Sequence, residues 1–274
     1  LAIWALVEAQ VRGVTRPLQL ALSFDEEVGC IGGPPLIEAM QPVLPKGSAV
    51  IVGEPSMLKC VTGHKGGKTF EINVIGHEVH SSLLPIGVSA IMQGARIIEW
   101  ANQVNAEQAA REPTEVAAMF DPNFTTLHTG IISGGTARNI TAGRCSFDLG
   151  FRAMPDEDHA VWRDRIIIRI REVELEVKAL HPDARIDVEE SFGVPGLKPE
   201  TDGAAEALVR HLTGDNAIHV VSYGTEAGQF QQAGYSAVVC GPGDIGQAHQ
   251  ADELIAKEQC HGGGAIMERL VCNR

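Results

Sequence analysis

The side chains best suited to chemistry stand in short polar segments, each a few residues after an apolar run. Asp25-Glu26-Glu27 follows Pro17–Ser23, Glu54 follows Ser48–Val52, Thr225 and Glu226 follow Ile218–Tyr223, and His249 follows Ser236–Cys240. Carboxylates joined by an imidazole are hard and borderline donors suited to zinc or a similar divalent ion. Adjacent side chains of an extended segment point to opposite sides. One of Glu26 and Glu27 can therefore bind a metal while the other faces the substrate as general base. Each segment also has a plainer reading. Asp25-Glu26-Glu27 reads as a solvated acidic loop, Glu54 as a helix-entry acid, His249 as a surface imidazole and Asp252 as the N-cap of a last helix over 253–270.

Three further groups have the right chemistry. His80, in His80-Ser81-Ser82, can donate a hydrogen bond to the oxyanion of a tetrahedral intermediate, or simply sit in a polar helix-entry loop. Gly134-Gly135-Thr136-Ala137-Arg138-Asn139 reads as a hairpin turn. Arg152 is either a surface cation or a bidentate grip for a carboxylate. His64, His128, His159, His181 and His211 lack such surroundings and read as structural.

Composition narrows the partners. The 274 residues carry 22 Lys+Arg against 35 Asp+Glu, a net charge of −13 that repels nucleic acid. Hydrophobic residues make up 44%, enough for a substantial core, and no apolar run reaches bilayer length. The six cysteines are scattered with no C-x-x-C pair, which reads as reduced thiols in a cytoplasmic protein. Residues 1–9 read as part of an apolar helix entered without a cap, starting at Leu1 rather than Met, as expected of a chain whose N-terminal part is absent.

The elements that must position these groups form two sets. Pro17–Ser23, Ser48–Val52, Ile218–Tyr223 and Ser236–Cys240 read as strands of an α/β layer, each closed by turn residues. In such a sheet, ligands bind beyond the carboxyl ends of the strands. Between them the pattern changes. Strands over 68–74, 125–133, 144–152 and 184–190 alternate with helices over 88–107 and 156–180, the β-α-β-β-α-β order of a split ferredoxin-like unit. The expected organisation is a domain of residues 1–63 and 191–274, with an inserted α+β domain over 64–190.

Together these residues resemble the M20 metallopeptidases. The likeness runs in order through Ser23-Phe24-Asp25-Glu26-Glu27, Gly53-Glu54-Pro55, Gly63-His64-Lys65-Gly66, Gly76 to Gly87 around His80, Gly134–Asn139, Phe151-Arg152, and Cys240-Gly241-Pro242-Gly243 with His249. The stretches around Thr125-Thr126, Gly224–Gly228 and Val239–Gly243 resemble the acetylornithine deacetylase branch in particular.

The resemblance implies a mixed-sheet zinc-hydrolase domain with an inserted dimerisation domain, and hydrolysis of an N-acetyl amino acid, N-acetyl-L-ornithine, to acetate and the free amine. It implies two zinc ions, or cobalt in their place. Glu26 would be the general base, Glu27 and His249 would bind one ion and Glu54 the other. His80 would polarise the scissile carbonyl in the partner subunit's site, and Asn139, Arg152, Gly224 and Thr225 would line the substrate pocket. It places a further His ligand and a bridging Asp ahead of the residues present, so this chain alone is expected to hold zinc poorly and to hydrolyse little. Ser89, Thr141-Ala142 and Ala251 depart from the family pattern, which puts the fine shape of the pocket in question. The competing readings are a succinyl-diaminopimelate desuccinylase or aminoacyl exopeptidase of the same family, and an inactive dimerising or ligand-binding module.

Overall fold

The computed structural model describes residues 1–14, 16–248 and 250–272. In chain order the elements are α1 (Ala2–Arg12), α2 (Gly33–Met40), β1 (Val50–Val52), β2 (Val61–His64), β3 (Gly66–Ile75), α3 (Ala90–Ala109), β4 (Thr126–His128) and β5 (Ile132–Gly134). There follow β6 (Arg144–Ala153), α4 (His159–Leu180), β7 (Arg185–Glu190), α5 (Ala204–Thr213), β8 (His219–Val221), α6 (Ala227–Gln232), β9 (Ala237–Val239) and α7 (Lys257–Cys272). This is a mixed α/β chain with mixed sheets. It divides into two compact units, Leu1–Lys65 with Val194–Arg274, and Gly66–Gly193.

The first unit has a four-stranded sheet in the order β1-β9-β2-β8. β1 runs parallel to β9, so Glu54 and Gly241 leave the sheet at the same edge. There Ser56 N–H donates to Gly241 C=O and Gly241 N–H donates to Ser56 Oγ, both at 3.1 Å. β2 is antiparallel to β9 and parallel to β8, so β8 runs against β1 and β9. One shared carboxyl edge therefore holds for β1 and β9 only. The loop after β8 reaches the Glu54 segment differently, through the Tyr223 hydroxyl donating to Pro55 C=O at 3.1 Å.

Two sequence expectations fail in this unit. Residues 17–23 form no strand, because alternation alone is not enough and no neighbouring strand offers them a hydrogen-bonding edge. The last helix begins at Lys257 rather than Glu253, so Asp252 is not its cap. The small helix α2 escaped the sequence reading because Pro34 and Pro35 resemble breakers. Both stand in its first turn, where a missing N–H costs little.

The second unit is a five-stranded antiparallel sheet in the order β4-β6-β3-β7, with β5 also on β6. β3 and β6 pair over their full lengths, from Gly66↔Ala153 to Ile75↔Arg144. Alternate residues Phe70, Ile72 and Val74 of β3, and Phe147, Leu149 and Phe151 of β6, are buried. They meet Ile97, Ala101 and Val104 of α3 and Ile166, Ile170, Val173 and Val177 of α4. Period two on the strands thus faces period 3.6 on the helices. The expected single strand over 125–133 is split in two. The Asp148 carboxylate takes the N–H groups of Gly130 and Ile131 out of the ladder, at 3.1 and 2.5 Å.

Ile166 is wholly buried in this core. Ile166→Ala is expected to destabilise the unit by about 3 kcal/mol, through lost transfer energy and a residual cavity. A urea melt of the full chain reads this as a lowered midpoint for the unfolding of residues 66–193, and an unchanged midpoint would contradict the core described.

Candidate active site

Glu26 lies in a tight turn. Its C=O accepts from Gly29 N–H at 3.0 Å and from Cys30 N–H at 2.7 Å. Asp25 and Cys30 on either side have φ of 53° and 56°, in the left-handed region that non-glycine residues seldom occupy. The turn brings the Cys30 thiol to Glu26 Oε1 at 3.1 Å. Glu27 is the next residue of the same turn and is exposed, while Glu26 is half-buried. The two acids therefore differ in exposure, though the segment is a turn and not the extended stretch expected.

Three carboxylates act on the same thiol through their charge. Burial pushes the Cys30 thiol up, aided by its hydrogen bond to Glu26 and by the charges of Glu26, Glu226 and Glu54. Glu26 and Glu54, 28 residues apart in sequence, are thus within electrostatic reach of one point. Glu226 joins them. Burial pushes its carboxyl up, and the Glu26 charge adds to this against the hydrogen bond from Ser23. The Tyr223 hydroxyl is raised by burial and then by the charges of Glu54 and Asp244.

Thr225 is fully buried, and its Oγ1 accepts from Ala227 N–H at 3.1 Å in the turn that leads into α6. Gly224 is packed close, since a Cβ there would stand 3.3 Å from Lys65 C=O and from a Val194 methyl. His249 lies outside the described residues. Among the described residues, no group of three or more His, Cys, Asp or Glu side chains is arranged to hold a metal ion. By themselves they do not fit a zinc site, which takes at least three protein donors.

His80, Asn139 and Arg152 belong to the second unit. After β3, His77 and Val88 pair as an isolated bridge, with N–H···O distances of 2.8 and 3.0 Å. Gly76 makes that approach feasible, for a Cβ on it would stand 2.1 Å from Val88 C=O. The loop so clamped carries His80, which bridges to Ile140, while Ser81 N–H donates to Asn139 C=O at 2.8 Å. His80 Nδ1 contacts the Ser82 hydroxyl at 2.7 Å. His80 and Asn139 are therefore brought together, both exposed. Thr141, one of the departures noted in the sequence, fastens this place. Its hydroxyl accepts from Val79 N–H and donates to His77 C=O, both at 2.8 Å. Ser89, another departure, caps α3 by accepting from Met92 N–H at 3.5 Å.

Arg152 is exposed at the other end of the sheet, where it pairs with Gly67 and Thr126. Arg144 and Ile75 mark the end nearer His80. Eight residue steps separate Arg152 from Arg144, so at about 3.3 Å per step His80 and Arg152 of one chain stand roughly 26 Å or more apart.

Residues 62–178 match the M20 family model described as the peptidase dimerisation domain. Over 257 residues the chain is 33% identical to an acetylornithine deacetylase of Myxococcus xanthus, covering 94% of this chain and 65% of that protein. It is 30% identical to an acetylornithine deacetylase of Proteus mirabilis over 257 residues, covering 92% and 62%. The chain is thus similar to M20 peptidases over most of its length, and residues 62–178 match their dimerisation domain. It spans a little under two thirds of the length of these relatives. The fold is also that of an aminopeptidase, PepT, from Bacillus cereus, with a TM-score of 0.67 at 18% identity over 91% of this chain and 62% of that one. A tripeptidase from Staphylococcus aureus gives a TM-score of 0.66 at 19% identity, covering 92% and 63%. No helix among the described residues is long and apolar enough to cross a membrane.

Sequence reasoning passed over Cys30 and left Glu226 without a role. The available signal was the spacing of Cys30, four residues after Glu26 with Gly29 between, which suits a closed turn.

Thr141→Val keeps the shape and removes the hydroxyl that holds the His80 loop. It is expected to destabilise the protein by about 1–2 kcal/mol, since Val79 N–H loses its partner. Amide exchange of Val79 should quicken with it. Unchanged exchange at Val79 would contradict the clamp.

Proposed function

We propose that the protein is a metal-dependent amide hydrolase that cleaves N-acetyl-L-ornithine to L-ornithine and acetate, a step of arginine biosynthesis. What supports this reading is the similarity to relatives named acetylornithine deacetylases over most of the chain, together with Glu26 beside the Cys30 thiol and the Glu54 charge acting on the same thiol. In this reading Glu26 takes a proton from the attacking water and passes it to the leaving nitrogen as the C–N bond breaks. Arg152 grips the substrate carboxylate bidentately, and Asn139, Gly224 and Thr225 shape the pocket. Zinc, or cobalt in its place, supplies Lewis acidity when bound. Its proposed donors are Glu27, Glu54 and His249. The reading places the protein in the cytoplasm, consistent with six free cysteines.

The separation of His80 from Arg152 supports a shared site. On one chain the two are too far apart to touch a single small amino-acid derivative. Two copies joined through residues 66–193 would present His80 and Asn139 of one subunit to the site of the other, where His80 donates to the carbonyl oxygen as it gains charge. A second reading, an inactive dimerising module, is favoured by the absence of a three-donor metal group among the described residues.

Steady-state assays with added zinc on N-acetylornithine and N-succinyl-diaminopimelate separate these readings. The proposal expects the acetyl substrate to be preferred, and Glu26→Gln to lower kcat by about 10²–10⁴-fold with little change in KM. Preference for the succinyl compound would move the protein to the desuccinylase reading, and no turnover of either would favour the inactive module.

Complementation tests the shared site. Glu26→Gln and His80→Ala subunits, each inactive alone, should regain roughly a quarter of the activity when mixed and allowed to exchange, because half the dimers then hold one intact site of two. No recovery in dimers shown to have exchanged would place His80 outside the site.

A further inference from the structure

Glu226 and Gln229 present an electrostatic problem that the rest of the site does not solve. Both are more than nine-tenths buried, and among the described residues Glu226 Oε1 and Gln229 Oε1 have no hydrogen-bond partner. Both crowd the bare Cα of Gly33, for a Cβ built there would stand 1.9 Å from the Gln229 oxygen and 3.4 Å from the Glu226 oxygen. The two oxygens can be no farther apart than the sum of those distances. Turning the Gln229 amide over does not help, because its Nε2 already donates to Cys30 C=O at 2.9 Å. The other Glu226 oxygen, Oε2, accepts from the Ser23 hydroxyl at 2.8 Å. Two buried acceptors thus lie beside the same glycine, and among the described residues no donor reaches either oxygen. An unsatisfied buried carboxylate there would be expensive.

We infer that Glu226 is held as a neutral carboxylic acid whose Oε1 hydroxyl donates toward Gln229 Oε1, making it a positioning residue for the Glu26 turn. The proton closes a chain of contacts. Ser23 holds Glu226, Glu226 holds Gln229, Gln229 holds the Cys30 carbonyl, and the Cys30 thiol holds Glu26. The titratable groups facing Glu226 are Glu26, whose charge opposes its ionisation, and Cys30, whose thiol is raised in turn by Glu226. Burial acts in the same direction. The final link to catalysis rests on reading Glu26 as the general base. The buried proton does not.

The sign of the pH effect follows from linkage. A carboxyl whose folded-state pKa is raised contributes stability that is present below its ordinary value and is lost as pH rises through the folded value. Glu226→Gln carries the same donor and acceptor without a titration, since its amide N–H can serve Gln229 and its C=O can accept from Ser23. Other ionisations cancel when the two proteins are compared.

Thermal melts of the full chain from pH 5 to pH 9 should therefore show wild type and E226Q with similar Tm at the acid end. Wild type should fall behind by about 2–4 °C as pH rises, and Glu226→Ala should be less stable than both at pH 5. Carboxyl ¹³C titration of Glu-labelled wild type should show one midpoint well above the others, absent from E226Q. A Tm difference constant across the range, with no such midpoint, would overturn the inference and leave a bound water as the bridge. Because neither readout uses turnover, its failure is distinguishable from failure of the hydrolase reading.

Discussion

Acidic side chains gathered in a partly buried space repel one another, and that repulsion must be offset by protons, hydrogen-bond donors or cations. The charges of Glu26, Glu54 and Glu226 all raise the Cys30 thiol. Much of the surrounding structure answers this one constraint. The left-handed Asp25 and Cys30 close the turn that aims the thiol at Glu26. Ser23 supplies a donor to Glu226. The parallel pairing of β1 with β9 delivers Glu54 and the glycines after Cys240 to one edge.

The inserted unit solves a different problem. Its core fixes the full-length ladder of β3 on β6, and the ladder sets a distance. His80 and Asn139 are pinned at one end by the His77–Val88 bridge and the Thr141 hydroxyl, and Arg152 stands at the other. In the proposed reading, this separation is the reason a second copy would complete the site.

The fold was legible where one local signal sufficed. β1, β8 and β9 are short apolar runs stopped by turn residues, and β3 and β6 alternate cleanly enough to be placed within a residue or two. The sequence misled where the answer lay in tertiary context. Pro17–Ser23 alternates but pairs with no strand among the described residues, and Asp148 breaks a strand 17 residues before it in sequence at Ile131. In the site, Glu26 and Glu54 could be singled out because each follows an apolar run. The Glu226–Gln229 pair could not, because the contact that orients Gln229 comes from Cys30, 199 residues away.

The central claim is that acids and an imidazole distant in sequence share metal at one place. An anomalous-difference map at the zinc edge, from crystals of the protein grown with zinc, tests it most directly. The account predicts metal density contacting Glu27 and His249, with a second position on Glu54, both beside Glu26. Metal bound elsewhere, or His249 and Glu27 on separate surfaces, would contradict it.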